Sequence, residues 1–387
     1  MLPVALLLAA PHLSYDFLAR SEGRGSSAAG SSALDRALEV DAALSLRLRS
    51  ENLDLSAVYA PRALYAESHG SLDVVHSLTL AEQLGTSRDT RLTLSQRATV
   101  GNQDFGLLNA QPLDQPAVSS TGRPLASHAL PYVDLEASGR LEQSLGPRLQ
   151  LAAAATAQAS GGATEEARLS IPLRNAGRVN LSGGFQSDRL DRVSFALDAG
   201  TAHLSNGSSS VDGNATAGYS TRLSARATAA LSLGASLGKS TDANGVASPA
   251  LLSPIGSATL GFSLPIRGQE LIFGLRLAGT SINDRITGAI YPRGETAGDV
   301  TWAPTQSLRL SLQGGGTRVM SGTQAGEAVA TLGGSATLFF TRTVGVVAGA
   351  RSAYSVIPER AVGDVAGGAG WQWAGFLAFF GAAQGGL

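Results

Sequence analysis

The chain has 387 residues, 43% hydrophobic and only 15% charged, with a formal net charge of −1 and no cysteine. A soluble domain carries about 25% charge, so much of this surface is expected to lie out of water. The near-neutral balance points away from nucleic acid, and the missing thiols exclude disulfides, iron–sulfur clusters and thiolate zinc sites.

Read from the start, Met1–Ala10 is apolar, and residues 1–19 are expected as a signal peptide whose basic start is missing. Residues 20–36 read as a Gly/Ser-rich linker without periodicity. From 37 to 387 the dominant signal is alternation. Leu38, Val40, Ala42, Leu44, Leu46 and Leu48 share one side, while Glu39, Asp41, Ser45, Arg47 and Arg49 share the other. Successive strand side chains point to opposite faces, so each such run has an apolar and a polar side. The pattern recurs at 72–80, 91–100, 133–142, 192–198, 225–237, 271–277, 308–313 and 328–340.

Turn chemistry separates these runs at Gly146-Pro147, Asn206-Gly207, Asp212-Gly213 and Asn244-Gly245. Proline-marked reversals are expected at Tyr59-Ala-Pro-Arg62, Leu145-Gly-Pro-Arg148 and Trp302-Ala-Pro-Thr305, because proline cannot donate to a ladder. Longer connections are placed at about 101–131, 239–254 and 355–364, and the first is expected to lie over or inside a lumen. If the first connection is extracellular, 101–131 falls on the periplasmic side, an awkward place for a long loop.

Beyond the first ten residues, no apolar run approaches the roughly 18–20 residues of a spanning helix. The runs instead last about 9–13 residues, enough for a tilted membrane strand and more than the usual 5–6 of globular sheets. The expected fold is therefore all-β, a closed antiparallel transmembrane β-barrel of roughly 16–18 strands. Such a barrel turns its apolar side to lipid and its polar side to water. Trp302, Trp371, Trp373, Tyr59, Tyr219, Tyr291 and Tyr354 are candidates for sparse interfacial girdles.

Leu72–Leu80, Arg91–Phe105 and Tyr59-Ala-Pro-Arg62 together resemble integral outer-membrane β-barrel proteins of polysaccharide secretion, specifically over about residues 38–108. The resemblance implies an exit channel in the outer membrane of a Gram-negative bacterium. It also implies a polysaccharide chain and a periplasmic polysaccharide export protein as partners, beside outer-membrane lipid. The alternatives are a general porin, and a structural or adhesive barrel with a plugged lumen.

No catalytic residue, metal or cofactor is expected. Gly234-Ala-Ser-Leu-Gly238 matches a hydrolase elbow but lies within an alternating run rather than a strand-to-helix turn. His203 and Ser205 flank a Gly/Ser-rich turn, and Asp242-Ala-Asn-Gly245 lacks the other ligands of a calcium loop. The lumen-lining candidates are Glu39, Asp41, Arg47, Arg91, Arg97, Asp134, Glu136, Arg140, Arg168, Arg192, Asp198, Arg226, Glu270, Arg276 and Arg309. They form either a self-neutralising wall or a binding ladder for solute or sugar.

Overall fold

The computed structural model describes residues 12–27, 35–67, 70–85, 87, 89–104, 129–266, 269–284, 287–321, 326–357 and 368–386. The strands are β1 (His12–Ser27), β2 (Asp35–Arg49), β3 (Leu53–Ala66), β4 (Ser71–Gly85), β5 (Thr90–Asp104) and β6 (Ala129–Leu145). Then come β7 (Leu149–Gly162), a helix α1 (Glu165–Ser170), β8 (Arg174–Gln186), β9 (Asp191–Leu204), β10 (Ser209–Ser224) and β11 (Ala227–Thr241). The series continues with β12 (Leu251–Ile266), β13 (Gln269–Asn283), β14 (Ile290–Trp302), β15 (Leu308–Val319), β16 (Ala328–Phe339), β17 (Val344–Ile357) and β18 (Gly368–Gly386). No helix among the described residues is long and apolar enough to cross a membrane.

Each strand from β2 to β18 pairs antiparallel with its sequence neighbour. The expectation of a closed barrel over residues 37–387 is nevertheless corrected. These seventeen strands are an open sheet, since β2 and β18 do not pair with each other. The reason is directional: in an alternating series of odd number, first and last strands run the same way and cannot form an antiparallel pair. The two edges are met instead by β1, which pairs antiparallel with β2 from His12 opposite Arg49 to Ser26 opposite Asp35. On its other side β1 pairs with β18, from Ser14 opposite Gly386 to Ser27 opposite Trp373. Residues 12–27, divided by the sequence reading between leader and linker, are thus strand.

Counting β1 also removes the difficulty over sidedness. The connections after β2, β4, β6, β8, β10, β12, β14 and β16 share one end, and all are short. The connection after β5, spanning 105–128, lies at the other end with those after β7, β11 and β17. Outer-membrane barrels carry short periplasmic turns and longer extracellular loops, so the long segment falls on the expected side. Residues 105–128 and 358–367 themselves lie outside the described residues.

Two expected turns prove to be strand. Tyr59-Ala-Pro-Arg62 lies inside β3, where the β2–β3 register passes from Asp41 opposite Arg62 to Leu44 opposite Tyr59, skipping Ala60 and Pro61. Proline's missing N–H costs the ladder a bond without ending the strand. Asp212-Gly213 lies inside β10, opposite Gly200 and Ala199. By contrast Asn206-Gly207 and Asn244-Gly245 do turn, with Gly207 at φ 92° and Gly245 at φ 80°.

The two faces separate as the alternation requires. On β2, Leu38, Val40, Leu44 and Leu46 are exposed while Glu39 keeps 1% of its surface. Val193, Phe195 and Leu197 on β9, Leu231 and Leu233 on β11, and Trp371, Trp373 and Phe379 on β18 continue the exposed apolar face. A water-facing sheet of this size would not leave such a patch open, whereas hydrocarbon is a fitting neighbour for it. Because the chain has no cysteine, Leu94→Cys and Thr93→Cys can each carry a single environment-sensitive fluorophore. In vesicles the Leu94 label is expected to be quenched by lipid-borne quenchers and the Thr93 label by aqueous iodide. Equal quenching at the two sites would overturn the assignment of faces.

Candidate functional site: the polar inner face

The face opposite the aliphatic one carries cross-strand ion pairs in tiers, and register decides which groups meet. Midway along β5, Arg97 faces Asp134 and Glu136 on β6, at 2.9 and 3.1 Å. Gln158 on β7 donates to Asp134 Oδ1 at 2.9 Å, and Arg174 on β8 donates to Gln158 Oε1 at 3.4 Å. On β2 and β3, Arg62 lies 2.7 Å from buried Glu39 and 3.8 Å from Asp41.

Four residues in from the long-connection end of β8, Arg178 is the hub. Its guanidinium is paired with Asp198 on β9 and with Asp212 on β10, two strands away. Asn214 Nδ2 also donates to Asp198 Oδ1, at 2.8 Å. The reach to β10 is possible because Gly200, opposite both Arg178 and Asp212, has no side chain to block it. A Cβ there would lie 3.2 Å from Arg178 Nε.

Toward the short-turn end, Arg140 Nε donates to Glu142 Oε1 at 2.7 Å, and Arg192 Nη2 to Gln150 Oε1 at 3.3 Å. These residues wall a cavity of about 470 Å³, with Arg91 and Thr216 also on its lining. Nearer the β2–β3 turn, Arg47 Nε donates to Asp54 Oδ1 at 2.8 Å.

Most expected lining residues fall on this face, namely Glu39, Asp41, Arg47, Arg91, Arg97, Asp134, Glu136, Arg140, Arg192, Asp198, Glu270, Arg276 and Arg309. Arg309 stands 5.9 Å from the centroid of the Phe339 ring. Two candidates are corrected. Arg168 is in α1, not a strand, and its Nε donates to the Gly162 carbonyl at 3.1 Å. The helix forms there because Thr164 caps it, its hydroxyl accepting from Ala167 N–H at 3.2 Å, with Glu165 and Glu166 in the first turn. Arg226 lies in the exposed turn between β10 and β11, where Ser224 Oγ accepts from its N–H at 3.1 Å.

Sequence reasoning missed Arg62, Arg178, Asp212, Arg293 and Glu295. All lie on the polar side of their strands, and Arg62 and Asp212 sit in segments with the chemistry of turns. Ser236 stays within β11, 1% exposed, and no nucleophile elbow forms. Ser205 Oγ accepts from Leu173 N–H at 3.0 Å instead of facing His203. Among the described residues no group of three His, Asp or Glu could hold a metal ion.

Exposed ion pairs are worth about 0–1 kcal/mol each, but one cation between two carboxylates is a coupled set. Arg178→Met is expected to destabilise by about 1–2 kcal/mol, since it leaves Asp198 and Asp212 facing each other. Adding Asp212→Asn should recover most of the loss. Urea unfolding in detergent measures both, and a double variant no better than the single would overturn the hub assignment.

Residues 8–371 match the EpsX exopolysaccharide export family. That match extends well beyond residues 38–108, on which the resemblance to polysaccharide-secretion proteins rests. No curated protein matches the chain significantly. Among solved structures, the outer membrane protein OpdK of Pseudomonas aeruginosa is similar at 12% identity and a TM-score of 0.52, covering 96% of this chain and 99% of that one. OccAB4 of Acinetobacter baumannii gives 7% identity and a TM-score of 0.52, covering 96% and 98%. OpdO of Pseudomonas aeruginosa gives 10% and 0.51, covering 97% of each chain. At these identities the likeness is one of fold.

Proposed function

We propose, from the premise that the chain belongs to the EpsX exopolysaccharide export family, that it is the outer-membrane exit for a secreted polysaccharide. It is an outer-membrane β-sheet transport protein of a Gram-negative bacterium, similar in fold to the outer membrane protein OpdK, and not an enzyme. The family match over residues 8–371 carries the polysaccharide reading. The inner face supports it. Its arginines, carboxylates, amides and hydroxyls stay partly solvated, as Arg97 and Arg178 do at 45% and 44% side-chain exposure. Such a wall exchanges hydrogen bonds with a hydrated polymer at little net cost, because each bond lost to water is replaced by another.

In this reading the residues of the inner face line the path, and their role is to wet it and set its charge. A periplasmic export protein would deliver the chain to the short-turn end. A general porin is the second reading, in keeping with the whole-length likeness of fold to the outer membrane protein OpdK. One experiment separates the two. Deleting the gene is expected to lower secreted polysaccharide at least tenfold while uptake of small hydrophilic solutes stays unchanged. Unchanged polysaccharide with reduced solute uptake would overturn the export role and favour the porin.

A further inference from the structure

The inner face is not uniformly balanced in charge. Arg97 faces two carboxylates, Arg178 two, and Arg62 two. In the short-turn cavity the ratio reverses. Arg91, Arg140 and Arg192 line it against Asp89 and Glu142, three cations to two anions for a net +1. Only Arg140 is ion-paired, through Nε to Glu142, which leaves its terminal nitrogens outside that contact. Arg192 is held by the neutral amide of Gln150, and neither it nor Arg91 has an ion-pair partner among the described residues.

The floor of the cavity is shaped for this arrangement. Arg192 on β9 reaches Gln150 on β7 by lying across Gly184 on β8, and a Cβ at Gly184 would sit 2.5 Å from Arg192 Nε. At about 470 Å³ the cavity falls within the usual range of small-ligand pockets. Guanidinium forks match planar oxyanions with two parallel hydrogen bonds, and a recess walled by protein strengthens their field.

We infer that this cavity is a binding subsite for the oxyanion groups, carboxylate first, of an acidic polysaccharide entering from the short-turn end. The inference rests on the export reading for its polymer and names the class of sugar. Neutral glucans would pass without using the subsite. The wall beyond it, where Arg62, Arg97 and Arg178 are each already shared by two carboxylates, would hold the same groups weakly and let the chain move on.

The test is direct binding to the detergent-purified full-length protein. Fluorescently labelled hexagalacturonate is followed by anisotropy, with sulfated maltohexaose, unmodified maltohexaose and inorganic phosphate as competitors. Binding is expected, with competition by sulfated maltohexaose weaker than by unlabelled hexagalacturonate and none by the neutral sugar. Arg91→Gln/Arg140→Gln/Arg192→Gln should weaken binding at least tenfold. Gly184→Val keeps all three arginines but displaces a flexible guanidinium rather than the backbone, and should weaken it about threefold to tenfold.

Heat-modifiability on gels checks that each variant is folded. Should the triple variant fail that check, Gly184→Val and the three single variants carry the test. No binding by the natural protein, equal binding by folded variants, or full competition by neutral sugar would each overturn the subsite. Displacement by phosphate as effective as by the oligomer would overturn the polymer as its ligand. The export reading fails separately, through unchanged polysaccharide secretion in the gene deletion.

Discussion

Hydrocarbon offers a strand no hydrogen-bond partner except another strand, so every backbone N–H and C=O at membrane depth must find its partner in the sheet. The structure meets this demand through neighbours. Each strand from β3 to β17 is flanked on both sides, and β1 lies along the two that would otherwise be edges. The alternating strand direction, the placing of β1 along both edges and the side on which each connection falls all follow from that need. So does the tolerance of Pro61 within β3, where one bond is forgone but the ladder resumes at Tyr59.

The same constraint leaves side chains to define the two solvents. Alternation sends aliphatic groups outward and charges inward, and register then matches arginines to carboxylates on adjacent strands. Because neighbouring strands lie only about 4.7–4.9 Å apart, a long guanidinium can also span two of them when the intervening residue is small. Arg178 over Gly200 and Arg192 over Gly184 both do this. The inner face is thereby knitted into coupled groups instead of isolated pairs, and its charge balance varies with depth.

Much of this was legible in the residues. The period-two pattern located most strands and the faces of most of the lining candidates, because alternation is a local property. What it missed had physical causes. β1 carries Arg20-Ser-Glu-Gly-Arg-Gly-Ser-Ser27, whose small polar residues hide alternation and imitate a linker. Asp212-Gly213 has the chemistry of a turn, yet pairing on both sides of β10 keeps it extended. Thr164-Glu-Glu166 signals a helix start, which the strand-rich sequence around it masks. The Arg178–Asp212 contact joins residues separated by a whole strand, so it depends on two registers that no single stretch of sequence encodes.

The bare floor beneath these arginines opens an unusual evolutionary route. Exchanging glycine for alanine or valine at 184 or 200 would leave every ionisable group in the chain untouched. At 184 it would still displace the Arg192 guanidinium, which a Cβ would meet at 2.5 Å, while at 200 Arg178 need give way only slightly before a Cβ at 3.2 Å. Relatives could therefore retune which polymers they pass through silent-looking methyl groups, with identical isoelectric points and an unaltered inventory of charge.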